Sequence, residues 1–148
     1  MTEGPRVLIL EARFYADIAD ELVRGAAAAL DEAGARHERI AVPGAFELPA
    51  ALAIAIDSGR FDGFVALGCV IRGETSHYDH VCGECARGLA MLAERHRIAL
   101  GFGVITAENR EQAWERAATE RRNKGADAAG ACLAMMALRT SLGAEARG

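Results

Sequence analysis

The chain has 148 residues, a length typical of one domain, and 51% of them are hydrophobic, which is enough to build a core. A formal net charge of -4 and dispersed basic residues argue against a nucleic-acid-binding surface. No apolar run reaches the roughly 20 residues that span a bilayer, and the start has no signal-peptide pattern, so we expect one cytoplasmic domain over residues 1–148 without a membrane partner.

Short apolar runs alternate with helical patterns in the first half of the chain. The runs contain consecutive apolar residues, as buried parallel strands do, whereas the helical segments repeat apolar residues every three or four positions. The pattern predicts strands over Arg6–Leu10 and His37–Val42, and helices over 16–33 and 48–58 that end at Gly34 and Gly59.

The second half continues the same alternation. The predicted elements are strands over 63–68 and 98–105, a helix over 76–95, a helix capped by Thr106 or Asn109, and a last helix that follows a break at Asn123-Lys124-Gly125 and runs to about Leu142.

This order predicts an α/β fold, a three-layer sandwich in which a flavodoxin-like, four-stranded parallel sheet carries helices on both faces. Ligands of such sheets bind beyond the carboxyl ends of the strands. That rule selects the segments 12–15, 42–49, 68–77 and 102–109. The helices are also rich in alanine, which lets helices approach closely. We expect more apolar helix surface than one subunit can cover, and therefore an oligomer.

The segment from Gly68 to His77 is the strongest local signal. It turns through Gly73 into a helix, and the free amides of a helix N-terminus bind anions. Gly73, Glu74 and Thr75 are therefore candidates to hold a phosphate, although an ordinary turn with Thr75 or Ser76 as the N-cap fits the same residues. His77 suits proton transfer near neutral pH, and a surface histidine is the alternative.

Aromatic and charged residues follow the other strands. Phe14 could stack on a flat heterocycle or simply pack. The loop over 42–49 presents Phe46 beside Glu47, which suits a polyol, whereas a turn with Phe46 in the core is the alternative. Late in the chain, Arg116 and Lys124 could contact a phosphate.

Four cysteines leave a further alternative open. Cys82 and Cys85 have the spacing of a redox pair, and with His77 and His80 they could suggest zinc. On a helix, however, these four side chains spread over about 200°. We therefore favour buried thiols and expect no metal.

Taken together, these segments resemble the 6,7-dimethyl-8-ribityllumazine synthase family. The resemblance runs in order from Val7 to Leu138. It rests on Arg13-Phe14, Val-Pro-Gly-Ala-Phe-Glu-Leu-Pro, Gly-Cys-Val-Ile-Arg-Gly-Glu-Thr-Ser-His-Tyr-Asp, Phe-Gly-Val-Ile-Thr-Ala-Glu-Asn-Arg-Glu-Gln-Ala and Asn-Lys-Gly. Tyr15 departs from the asparagine that is common there, and Cys69 from threonine or alanine.

The resemblance implies a transferase of riboflavin biosynthesis that needs no cofactor. Such enzymes condense 5-amino-6-(D-ribitylamino)uracil with 3,4-dihydroxy-2-butanone 4-phosphate and release phosphate and water. A non-catalytic oligomer that binds flavin or lumazine on the same scaffold is the alternative, and the presence of Arg116 and His77 favours the enzyme.

The resemblance also implies a role for each site residue. His77 would transfer protons, and Lys124 would lie near the site. Phe14, Ala45, Phe46, Glu47, Cys69, Val70, Ile71 and Phe102 would bind the pyrimidine and ribityl groups, and Gly73, Glu74, Thr75 and Arg116 the phosphate. Members form homopentamers with sites between subunits. Because Pro5 lacks a donor for strand pairing, we expect free pentamers or pairs of them.

Overall fold

A computed structural model describes residues 4–73 and 75–143 of the chain. The strands are β1 (Arg6–Ala12), β2 (Arg36–Val42), β3 (Gly63–Ile71) and β4 (Ala99–Ala107). The helices are α1 (Ala16–Glu32), α2 (Leu48–Ser58), α3 (His77–His96), α4 (Arg110–Ala117) and α5 (Lys124–Ser141), with a 3-10 turn at Ala45–Glu47 before α2. All strand pairs are parallel, in the order β2-β1-β3-β4. The predicted flavodoxin-like sheet is confirmed.

Both faces of the sheet are covered, which explains why β3 is apolar throughout and β1 is apolar from Val7 to Leu10. Side chains alternate along β1, so that Val7 and Ile9 pack with buried residues of α1 and α5, whereas Leu8 and Leu10 pack with those of α2 and α3. The central strands therefore lie inside a three-layer arrangement, and the parallel strands end at one common edge. Among the described residues, none of the helices combines the length and the apolar character needed to cross a bilayer.

Glycine fixes two of the helix ends as predicted. Gly59 follows α2 with φ of 67°, and Gly34 follows α1 with φ of 77°, a conformation that glycine adopts without strain. At the start of α4, the structure selects Asn109 over Thr106, because the Asn109 side chain accepts a hydrogen bond of 2.8 Å from the amide of Gln112.

Several predicted boundaries are wrong. β1 and β4 each continue two residues past their predicted ends, to Ala12 and Ala107. β3 does not stop at Gly68 but continues to Ile71, because it stays in register with β4 as far as Ala107. The break at 123–125 is limited to Asn123, whose φ is 49°, and α5 already contains Gly125. Glycine is needed there for close packing, since a Cβ on Gly125 would lie 2.0 Å from the carbonyl oxygen of Leu22 in α1.

Candidate functional site

A cleft of about 530 Å³ opens at the carboxyl ends of β1 and β3, the edge that the sequence analysis selected. We call it the Phe14 cleft. Its lining combines the β1–α1 turn, the loop before α2, the end of β3 and the first turn of α3. These residues are Phe14, Tyr15, Pro43, Gly44, Ala45, Phe46, Glu47, Cys69, Val70, Ile71, Gly73, Thr75, His77, Tyr78 and Val81.

Two phenylalanine rings stand out of the protein surface at this cleft. Phe14 is 73% exposed and Phe46 is 59% exposed, so the alternative that Phe46 belongs to the core is wrong. Rings that are exposed beside a concave surface indicate binding of an apolar or flat group. Phe14 also meets Tyr15 edge to face, with 5.0 Å between the ring centroids.

The loop before α2 is held by its own polar groups. Oε1 of Glu47 accepts a hydrogen bond of 2.9 Å from the amide of Gly44, which closes the 3-10 turn, and Pro49 lies in the first turn of α2. The loop is thereby rigid enough to present Phe46 and the exposed carboxylate of Glu47 side by side.

The end of β3 forms the floor of the cleft. Cys69 is 8% exposed, and burial raises the pKa of its thiol to about 12, so the thiol is neutral at physiological pH and acts as a packing group. Burial also raises the pKa of Cys82, and that of Cys85 to about 11. These neutral thiols are poor metal ligands and nucleophiles. In the described ranges, no group of three or more His, Cys, Asp or Glu could hold a metal ion.

His77 lies at the start of α3, exposed to solvent at the mouth of the cleft. Its amide donates a hydrogen bond of 3.2 Å to Oγ1 of Thr75. Of the two N-cap candidates, Ser76 occupies the N-cap position, but within the described residues its side chain makes no capping hydrogen bond. Thr75 and Gly73 line the cleft, whereas Glu74 lies outside the described residues.

The structure adds residues that the sequence analysis did not assign to the site. Tyr78 and Val81 follow His77 on α3, and the spacing of four residues between His77 and Val81 was a signal for the latter. The guanidinium of Arg72 lies over the Tyr78 ring at 4.3 Å, and its Nε is 3.1 Å from Glu108. Arg72 therefore connects the end of β3 with α3 and with the loop after β4.

The other predicted residues line a second cleft of about 320 Å³ along β4, which we call the Arg116 cleft. Phe102, which is 49% exposed, lies there with Arg116 and Lys124. Lys124 forms an ion pair of 3.6 Å with Asp127. Within the part of the chain that the structure describes, no residue lines both clefts. One chain thus does not bring Arg116 together with Thr75.

Residues 4–140 match the sequence profile of the 6,7-dimethyl-8-ribityllumazine synthase family. The chain is 52% identical over 145 residues to 6,7-dimethyl-8-ribityllumazine synthase of Paramagnetospirillum magneticum, which covers 93% of this chain and 97% of that protein. It is 53% identical over 144 residues to 6,7-dimethyl-8-ribityllumazine synthase 1 of Rhizobium meliloti, covering 94% of each. With the synthase of Methylobacterium radiotolerans it shares 53% identity over 136 residues, covering 92% of this chain and 83% of that protein.

Proposed function

Because the chain belongs to the 6,7-dimethyl-8-ribityllumazine synthase family, it is an enzyme of the penultimate step of riboflavin biosynthesis, and we propose that the Phe14 cleft is where it acts. There it condenses 5-amino-6-(D-ribitylamino)uracil with 3,4-dihydroxy-2-butanone 4-phosphate, without a cofactor. The observation that carries this proposal is a strand-end cleft lined both by two exposed aromatic rings and by His77.

The aromatic side of the cleft binds the amine substrate. Phe14 stacks on the pyrimidine ring, while Ala45, Phe46 and Glu47 contact the ribityl chain. The exposed carboxylate of Glu47 accepts hydrogen bonds from hydroxyl groups, and the 2.9 Å bond to Gly44 supports this geometry. Backbone groups of Cys69, Val70 and Ile71 contact the edge of the pyrimidine.

The opposite side binds the phosphorylated ketone. The amides of Gly73, Glu74 and Thr75 hold the phosphate, supported by the positive end of the dipole of α3, a helix of 20 residues. The Arg116 guanidinium of a neighbouring chain contacts the phosphate bidentately. This arrangement places the ketone carbon next to the amine.

The chemistry then needs orientation and proton transfer. The substrate amine adds to the ketone and water leaves to give an imine, phosphate is then eliminated, and the second amine closes the ring with loss of a second water. The substrate supplies its own amine, so no catalytic lysine is required. His77 donates and accepts the protons, and the binding of two reactants side by side supplies much of the rate.

We further propose that the active site lies between subunits of a homo-oligomer, a pentamer or a multiple of it, in the cytoplasm. Each chain would complete its neighbour's Phe14 cleft with Phe102, Arg116 and Lys124. The separation of the two clefts in one chain supports this assembly, as does the exposure of Phe102. Large apolar side chains are exposed on other elements too, including Ile54, Leu138 and Leu142.

Mixing the purified protein with both substrates tests the reaction. We expect the absorbance and fluorescence of the lumazine to appear faster than in the spontaneous reaction without protein. Heat-denatured protein is the control. If the rate stays at the spontaneous background while riboflavin binds tightly, the protein is a binding oligomer and the proposal is wrong.

A further inference from the structure

A carboxylate lies buried in the sheet on the strand that leads to Phe14. Within residues 4–73 and 75–143, the buried charged side chains are Glu11, 2% exposed, and Glu21, 8% exposed. Glu11 is in register with Ala41 of β2 and Leu67 of β3, so it lies between two strands. An apolar residue would continue the core there, and a buried charge costs desolvation free energy unless it is paired. The proposed reaction does not use this group.

Two arginines compensate the charge of Glu11. Arg39 of β2 donates from Nε to Oε2 at 2.6 Å and from Nη2 to Oε1 at 3.0 Å. Arg13, just after β1, donates from Nη1 to Oε1 at 2.5 Å. Burial alone would raise the pKa of Glu11, but the hydrogen bonds and charges of the two arginines outweigh it and hold the pKa below its ordinary value. Glu11 is therefore an ionised anchor for two separate segments.

Arg13 connects Glu11 to the turn that carries Phe14. Its Nη2 donates to Oδ1 of Asp20 at 2.6 Å and to the carbonyl oxygen of Ala16 at 3.5 Å, both in α1. Its amide donates to the carbonyl oxygen of Val42 at 3.1 Å, at the end of β2. One residue thus connects β1, β2 and the first turns of α1. The N-cap residue of α1, Tyr15, makes no capping hydrogen bond through its side chain within the described residues.

The ring of Phe14 has little packing of its own to fix its orientation. It is 73% exposed, and its ring contact is the edge-to-face one with Tyr15. We propose that Glu11 and Arg13 are positioning residues, which fix the 13–15 turn so that Phe14 presents its ring to a flat heterocycle before the ligand arrives. A ring held in its bound orientation loses less conformational entropy on binding. This inference rests on the proposed function, because it takes Phe14 as the surface on which the pyrimidine stacks.

A matched pair of variants tests the inference. Glu11→Gln and Glu21→Gln each remove one buried charge at almost unchanged shape. Glu21 accepts a hydrogen bond of 3.0 Å from the amide of Thr119 and does not line the Phe14 cleft. For Glu11→Gln we expect the Kd of the fluorescent lumazine and the KM of the pyrimidine substrate to rise about three- to tenfold. The KM of the phosphorylated ketone should stay within about twofold of the wild-type value. Glu21→Gln should leave all three unchanged.

A double variant separates positioning from general damage. If Glu11 acts through Phe14, then adding Glu11→Gln to Phe14→Ala weakens lumazine binding no further. A further loss comparable to that of Glu11→Gln alone would overturn the inference. Should Glu11→Gln fail to fold, Arg13→Lys takes its place, because lysine keeps the charge but lacks the planar fork that joins Glu11 to Asp20.

Amide hydrogen exchange in the wild-type and variant proteins gives a result that does not depend on activity. We expect faster exchange over residues 13–15 in Glu11→Gln than in Glu21→Gln. If the wild-type protein makes no lumazine while this difference is found, the proposed function fails and the positioning of the turn stands. Unchanged exchange over 13–15, or equal losses of lumazine affinity in both variants, would overturn the inference.

Discussion

At the scale of residues, exposure distinguishes the side chains that build the core from those available to a ligand. Phe14, Phe46 and His77 line the cleft at the surface, whereas Cys69 beside them is 8% exposed with a neutral thiol. Apolar rings that are exposed and also line a cleft indicate a binding surface.

Replacing His77 tests its role in proton transfer. For His77→Ala we expect turnover about tenfold slower, which is below the usual range of general acid–base contributions, because proximity supplies much of the rate. The KM values should change little. His80→Ala, three residues later on α3 and exposed, is the control, since His80 does not line the cleft. Steady-state kinetics decide, and a fully active His77→Ala enzyme would refute the proton role.

The buried carboxylate of Glu11 also predicts how stability depends on pH. The pKa of Glu11 in the folded protein lies below its ordinary value of 4.5. Its ion pairs therefore stabilise the fold fully above the ordinary pKa, and this stabilisation is lost as the pH falls through the folded-state pKa. We expect Glu11→Gln to lower the free energy of unfolding at pH 7 by about 2 kcal/mol, less than for a fully buried pair because both arginines are partly exposed.

Urea unfolding of both proteins at several pH values measures this difference. The gap between wild type and Glu11→Gln should shrink in acid, below the ordinary pKa of the carboxyl group. A gap that is constant from neutral pH to the acid limit of folding would show that Glu11 is not held ionised by its partners.

At the scale of elements, close packing of α1 against α5 depends on glycine. A Cβ on Gly125 would lie 2.0 Å from the backbone of Leu22, whereas a Cβ on Gly130, further along the same helix, would meet nothing within 4 Å. Gly125→Ala should therefore destabilise the protein by about 1–3 kcal/mol through overpacking. Gly130→Ala should be neutral or stabilise it by up to about 1 kcal/mol. Thermal unfolding at matched protein concentration measures the stability of both variants, and equal effects of the two substitutions would contradict this packing.

Elements whose ends carry their own signals could be predicted from the sequence. α2 was located to the residue because the helical pattern ends at Gly59, which has a positive φ. The end of β3 was missed because Gly68 interrupts the apolar run, whereas its true limit is set by pairing with β4. Residues that end an element locally, such as Gly59, are visible in the sequence, whereas pairing between distant strands is not.

The same distinction applies to the site. Phe14, Phe46, Thr75 and His77 lie in contiguous motifs, and the structure brings them to one cleft. The ion pairs of Glu11 were not foreseen, because Arg39 lies 28 residues away and comes from another strand. The location of Arg116 in a second cleft depends on how α4 packs beside β4, which no local motif specifies.

At the scale of the whole molecule, one chain carries the proposed site in two parts. The Phe14 cleft of about 530 Å³ holds the aromatic rings and His77, and the Arg116 cleft of about 320 Å³ holds two cations suited to a phosphate. A complete site would therefore require a second chain, placed so that its Arg116 cleft faces the first chain's Phe14 cleft. The proposed pentamer repeats this contact around a closed ring, in which every site would be alike.

The most direct test mixes two defective chains. A Phe14→Ala/His77→Ala chain lacks one half of the site, and an Arg116→Ala chain lacks the other. When the two are refolded together at equal amounts, about a quarter of the sites should combine two intact halves, because neighbours in a symmetric assembly are drawn at random. We predict that lumazine formation rises well above the mean of the two separate preparations. Activity equal to that mean would show that each site lies within one chain and would contradict the account.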